Sequence, residues 1–126
     1  MKKIALIIES ASDGEIWGRV HYDDDLIVDS AGDVEELKNK MTAQLMEFHD
    51  LKKGQIDFDI QHDISGLFDH KDYLNITSVA RLAGINPSLM RQYASGVKSP
   101  STERLKAIQT AVHSIGEDLR RIKLAM

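Results

Sequence analysis

The chain contains no cysteine, so disulfides and thiolate-bound metals are both excluded. No run approaches the roughly 20 consecutive apolar residues that a membrane-spanning helix needs. The five histidines, His21, His49, His62, His70 and His113, show neither H-x-x-x-H nor H-E-x-x-H spacing, so a helix-borne zinc site is not expected. No glycine-rich phosphate loop and no Ser/His/Asp order stands out. Catalytic residues, metal ligands and cofactors are therefore not expected. The single tryptophan, Trp17, reads as a core residue rather than as a platform for stacking bases.

What is present is a globular composition, 42% hydrophobic and 29% charged, in a length of 126 residues that suits one ordinary domain or two very small ones. The net charge of −4 hides a division. Residues 1–70 hold 7 Lys and Arg against 16 Asp and Glu, a net of −9, whereas residues 71–126 hold 9 against 4, a net of +5. Charge asymmetry between halves points to two parts with different partners.

The opening "MKKIALIIESASDGE" joins two lysines to a short apolar run. The run is shorter than the roughly 7–15 residues of a signal-peptide core, and a turn follows it, so a β-strand and a cytoplasmic location are expected. "KKIALIIE" is apolar and β-branched, as in a strand buried on both faces. "EIWGRVHYD" predicts a second strand with Ile16, Val20 and Tyr22 on one face, and "LIVDS" a third after the acidic turn "DDD". Asp33 caps the next helix, and Glu36 lies three residues on, as in a capping box. Val34, Leu37, Met41, Leu45 and Phe48 form its apolar stripe. "IDFDIQHDI" alternates cleanly, with Ile56, Phe58, Ile60, His62 and Ile64 on one face and Asp57, Asp59, Gln61 and Asp63 on the other. The expected order is β-β-β-α-β, a small sheet covered by one helix. Residues 65–72 read as the junction, which divides the chain into domains 1-68 and 69-126.

"TSVARLAGINPSLMRQYASG", Thr77 to Gly96, carries helix-turn-helix spacing. Gly84 falls at the turn, and Ala80 is small enough for two helices to approach. Val79, Ala83, Ile85, Met90 and Tyr93 take the packing positions. Asn86 caps the second helix, with Pro87 at its first position. In such a module the second helix enters the major groove of DNA. Its solvent side carries Asn86, Ser88, Arg91, Gln92 and Ser95. Arg91 suits guanine O6/N7 and Gln92 suits adenine N6/N7. Thr77, Ser78, Lys98 and Ser99 flank the helices and are placed to hold phosphate oxygens. Ser101 then caps a further helix with the stripe Leu105, Ile108, Val112 and Ile115, and "EDLRRIKLAM" is expected to form a short last helix. Arg120, Arg121 and Lys123 either touch DNA or stay solvated.

This arrangement resembles the Xre-like helix-turn-helix family, in which a Gly-x-x-x-Pro segment follows the recognition helix; here it is "GVKSP", Gly96 to Pro100. The whole chain resembles an HicB-type antitoxin with such a C-terminal module, the N-terminal likeness resting on "SAGDVEELKNKM". Where that family often has a Pro-Asp-Leu-Pro-Gly-like turn, this chain has "HYDDDL". The resemblance implies an α+β chain: a partial RNase-H-like domain, then an all-α helix-turn-helix domain. It also implies neutralisation of a small HicA-type ribonuclease toxin and repression of the chain's own operon.

Charge leads to a compatible partner independently. A domain of net −9 is repelled by DNA but complements a basic protein, and an RNA-binding toxin is usually basic. Asp57, Asp59 and Asp63, with Asp23, Asp24 and Asp25, form the candidate toxin-binding surface; the alternative is that these acids only provide solubility. Glu9, Asp23, Asp24, Asp25, Asp57 and Asp59 also invite a Mg²⁺ nuclease reading, but no sharp motif supports it and no enzymatic activity is expected. A homodimer is expected, because paired modules read a pseudo-palindrome. The competing reading is a stand-alone transcription regulator whose N-terminal domain senses a ligand or dimerises.

Overall fold

Alternation and helical periodicity in the sequence become four strands and five α-helices in the computed structural model, which describes residues 3–126. The elements run β1 Lys3–Glu9, β2 Ile16–Tyr22, β3 Asp25–Ala31, α1 Val34–His49, a 3-10 turn Lys53–Gln55, β4 Asp57–His62, α2 Ile64–His70, α3 Ile76–Ala83, α4 Pro87–Ala94 and α5 Thr102–Arg120. The fold class is α+β with one mixed sheet. Lys2, included in the expected first strand, lies outside the described residues.

The sheet order is β3-β2-β1-β4, with β1 parallel to β4 and the other neighbours antiparallel. Two residues, Asp23 and Asp24, close the β2–β3 hairpin, and Tyr22 pairs with Asp25. Both have positive φ, 49° and 66°, the sign pattern of a type I′ turn, whose twist matches that of the flanking strands. Aspartate tolerates this left-handed region better than most residues.

Asp33 caps α1 by accepting a 2.7 Å bond from the Glu36 amide, and Glu36 Oε2 accepts from the Gly32 amide. One face of α1 carries Leu37, Met41 and Leu45, fully buried against Ile4, Leu6, Ile8, Val20, Ile27 and Ala31. The stripe ends a turn early, because Phe48 is exposed. Leu51 and Ile56, just beyond the helix, pack on the core. β1 is asymmetric rather than buried on both faces: Ile4, Leu6 and Ile8 are buried, while Ala5 and Ile7 are half-buried.

β4 stops at His62, short of the expected strand, and Ile64 enters α2 instead. The segment expected to be a junction is thus largely helix. Asp63 starts it, its carboxylate accepting from the Gly66 amide at 2.8 Å and from Ser65 Oγ at 3.1 Å. Gly66 lets the helix press against the end of β1: a Cβ there would lie 2.4 Å from the Ile8 carbonyl oxygen. His70 Nε2 donates to the Glu9 carbonyl, and Ser10 Oγ donates to Asp69. These contacts tie α2 to the sheet, and the chain divides into two compact units between His70 and Lys71.

The second unit is built from α3, α4 and α5. Val79 and Ala80 of α3, Ile85 of the turn, Met90 and Tyr93 of α4, and Ile108 and Ala111 of α5 are its buried residues. α5 is one helix of 19 residues that runs through Gly116, so no separate last helix forms, and residues 122–126 are non-helical. Leu105, expected in the buried stripe, is exposed, and Ala111 is buried whereas Val112 of the expected stripe is half-buried. Among the described residues no helix is long and apolar enough to cross a membrane.

Candidate nucleic-acid interface and acidic sheet face

The α3–α4 pair is held by local backbone chemistry. Asn75 caps α3, its Oδ1 accepting from the Ser78 amide at 2.9 Å. Gly84 ends the helix at φ 69°, ψ 31°, a left-handed conformation that costs most residues about 1–2 kcal/mol. Its amide donates to the Arg81 carbonyl, and the next amide, of Ile85, donates to the Ala80 carbonyl at 2.9 Å. This double closure is a Schellman motif, and it buries Ile85 beside Ala80. Asn86 then caps α4, accepting from the Ser88 amide at 2.8 Å, and Pro87 occupies the first turn. The connection between α3 and α4 is therefore three residues long, Gly84 to Asn86.

With about 100° of rotation per residue, Ser88, Arg91, Gln92 and Ser95 share an arc of about 100° centred opposite Met90 and Tyr93. All four are exposed, whereas Met90 and Tyr93 are buried. Their free groups differ. Arg91 donates to Ser88 Oγ at a long 3.4 Å, which leaves most of its guanidinium donors for another acceptor. The Gln92 side chain projects from an exposed residue, while its carbonyl accepts from the Lys98 amide and from Ser95 Oγ. Ser95 hydroxyl is thus engaged at the helix end, and Asn86 Oδ1 is engaged as a cap. Thr77 is exposed and Ser78 half-buried in the first turn of α3; Lys98 and Ser99 are exposed after α4.

Sequence spacing did not single out two residues here, Asn75 and Arg104. Asn75 precedes the helical run by one position, the usual place for a cap. Tyr93 is buried at 4% exposure yet polar at its tip, and its hydroxyl accepts a 2.6 Å bond from Arg104 Nη1 of α5.

In the first unit the six candidate acids do not form one surface. Asp23 and Asp24 are exposed at the hairpin tip, and Asp57 and Asp59 are exposed on β4. β3 and β4 are the two edges of the sheet, about 14 Å apart at the usual strand spacing. Asp25 is hydrogen-bonded to His49 Nε2 at 3.0 Å, with the His49 ring edge-on to Tyr22. Asp63, besides starting α2, lies 3.4 Å from Arg19 Nη1, whose 2.5 Å bond to Glu9 is the stronger. That bond to Glu9, with the attraction of both acids, raises the Arg19 pKa and keeps it charged. Arg19 thus occupies the space between the two carboxylates.

Register shows what surrounds these acids. Ile27 and Ala31 face the core, so Leu26, Val28 and Ser30 face away from α1, beside His21, Arg19 and Trp17 of β2. Leu26 and Val28 are about half exposed. Trp17 is half-buried on this outer face rather than in the core, donating its indole N–H to Asp13 at 2.9 Å. The edge of β3 is closed at Ser30: its amide donates to Asp29 Oδ1 at 2.7 Å, and its carbonyl accepts from Lys40 Nζ at 2.8 Å. A lysine and a carboxylate at an edge strand discourage strand addition there. The exposed outer face, rather than the Ser30 end of the edge, is available for contact.

No family model, no curated protein and no solved structure matches the chain.

Proposed function

We propose that the protein is an HicB-like antitoxin and autorepressor, in which the first unit, a partial RNase-H-like domain, binds a small basic HicA-type ribonuclease. The second unit, an Xre-like helix-turn-helix, binds operator DNA. The observation that carries this reading is the division of α4: Met90 and Tyr93 buried, with Ser88, Arg91, Gln92 and Ser95 exposed together on the opposite side. That is the arrangement a recognition helix requires, and the unit that holds it carries net +5. Arg91 and Gln92 read bases; Thr77, Ser78, Lys98 and the α4 cap Asn86 set the module on the backbone.

On the first unit, Asp57 and Asp59 on one side and Asp23 and Asp24 on the other are the exposed acids that meet a basic partner, although Asp59 also accepts a 2.9 Å bond from Gln61 Nε2. Asp25 and Asp63 act mainly within the fold. The chain does no chemistry of its own in this reading and works in the cytoplasm as a homodimer on a pseudo-palindromic operator.

Arg91→Ala tests the DNA half. Binding measured on duplexes selected by the wild-type chain should lose roughly 1–3 kcal/mol and its preference at one base position. Unchanged discrimination would remove Arg91 from the reading set. A stand-alone regulator is favoured instead by the exposed Leu26 and Val28, which would suit dimerisation through the sheet. A small basic reading frame adjoining the gene decides for the antitoxin; its absence decides for the regulator.

A further inference from the structure

We infer that Arg104, on α5, is a positioning residue that sets the rotation of α4 about its own axis through the hydroxyl of Tyr93. The inference rests on the DNA-binding reading above. α4 is 8 residues long, and a helix of two turns is not stable alone. Its orientation comes from what holds it. Met90 and Tyr93 anchor the apolar side, and hydrophobic burial by itself is non-directional. The Tyr93–Arg104 bond is directional, and at 2.6 Å it is short; such bonds weaken steeply when bent.

The tether runs from a buried residue to a capped stretch of backbone. The Tyr93 ring is 4% exposed and cannot swing out to water. Arg104 lies in the first turn of α5, where its amide donates to the capping Ser101 Oγ at 3.2 Å. Rotation matters because the reading groups lie at the helix rim. At about 6 Å from the axis, a roll of about 10° moves a group by about 1 Å. That displacement breaks the two-point geometry by which Arg91 and Gln92 would pair with base edges. Without Arg104, the Tyr93 hydroxyl loses its partner, an unfavourable state for a buried hydroxyl, and the directional restraint on the roll of α4 is lost with it.

The experiment compares Tyr93→Phe, Arg104→Gln and the double variant with the wild-type chain. Each is assayed on a duplex selected by the wild type from a randomised pool, and on poly(dI-dC). The ratio of the two affinities should fall by roughly 5- to 10-fold in each single variant, as expected for one lost bond to a buried group. The double variant should fall no further. Affinity for poly(dI-dC) and its salt slope should stay unchanged in Tyr93→Phe, and amide exchange across α4 should quicken in all three without DNA present.

Retained discrimination with unchanged α4 exchange overturns the proposal. So does an Arg104→Gln variant that weakens on every duplex, with a salt slope flatter by about 0.9, while Tyr93→Phe behaves as wild type; Arg104 is then a phosphate contact only. If the wild-type chain itself prefers no sequence, the DNA-binding reading fails, and α4 exchange alone then decides whether Arg104 orients the helix. Arg104 is exposed on α5, so its replacement leaves the fold intact even where Tyr93→Phe loosens the core.

Discussion

Asp13 and Trp17 form a reporter at the scale of single residues. The indole N–H bond to the Asp13 carboxylate, with the Glu15 amide as a second donor, holds the Asp13 pKa below its ordinary 3.8. A depressed carboxylate contributes its stabilising bond above the unfolded pKa and loses it as pH falls through the folded value. Because Trp17 is the single tryptophan, its emission should be flat above pH 5 and change only below 3.8. In Asp13→Asn that acid transition should vanish, with the fold unchanged by circular dichroism; persistence of the transition would assign it to another carboxylate. The same scale explains why the candidate acids separate. Asp25 meets His49 and Asp63 meets Arg19 across 24 and 44 residues of chain, so residue type alone gave no sign that they are engaged.

At the scale of elements, two positions test how local geometry supports the fold. Asp24 sits at φ 66° in the β2–β3 turn, where glycine is relaxed and a side chain is strained. Asp24→Gly should raise stability by less than the roughly 1–2 kcal/mol that a left-handed conformation costs most residues, because aspartate tolerates it, as read by urea denaturation; a loss would mean that the Asp24 carboxylate stabilises the turn. Gly66→Ala should act oppositely, because its Cβ would stand 2.4 Å from the Ile8 carbonyl oxygen. A loss of about 1–3 kcal/mol is expected from such overpacking, with fast amide exchange confined to α2. Strands and caps were legible because their signals are local: alternation in "IDFDI", an aspartate before a helix, a glycine at a turn. α2 was not read, although Asp63 precedes Ile64, Leu67 and Phe68 at helical spacing. Continuous alternation through Ile64 masked the boundary, and only the packing of Gly66 against β1 shows where strand becomes helix.

At the scale of the whole molecule, the charge division coincides with the structural one. The boundary of the compact units along the chain falls between His70 and Lys71, and the nets of −9 and +5 belong to the segments on either side of that point. DNA affinity should therefore reside in residues 71–126. Assayed on random-sequence duplex, that segment should bind at least as tightly as the full chain, with a steep loss on raising salt. Residues 1–70 should not bind at the same concentrations. Binding by residues 1–70, or equal loss from both pieces, would contradict the division of labour.

The sequence alone determined the four strands, α1, the α3–α4 pair with its packing residues, and the charge asymmetry. Periodicity, capping chemistry and composition are properties of neighbouring positions, and they survive whatever the chain does elsewhere. Tertiary structure decided which polar groups are still available. It engaged Asp25 with His49 and Asp63 with Arg19, and covered the β3 edge at Ser30 with Lys40. It also left Phe48 and Leu105 in solvent and joined Tyr93 to Arg104. A side chain's last hydrogen bond or its burial depends on what the fold brings beside it, and that neighbour is set by topology rather than by spacing along the chain.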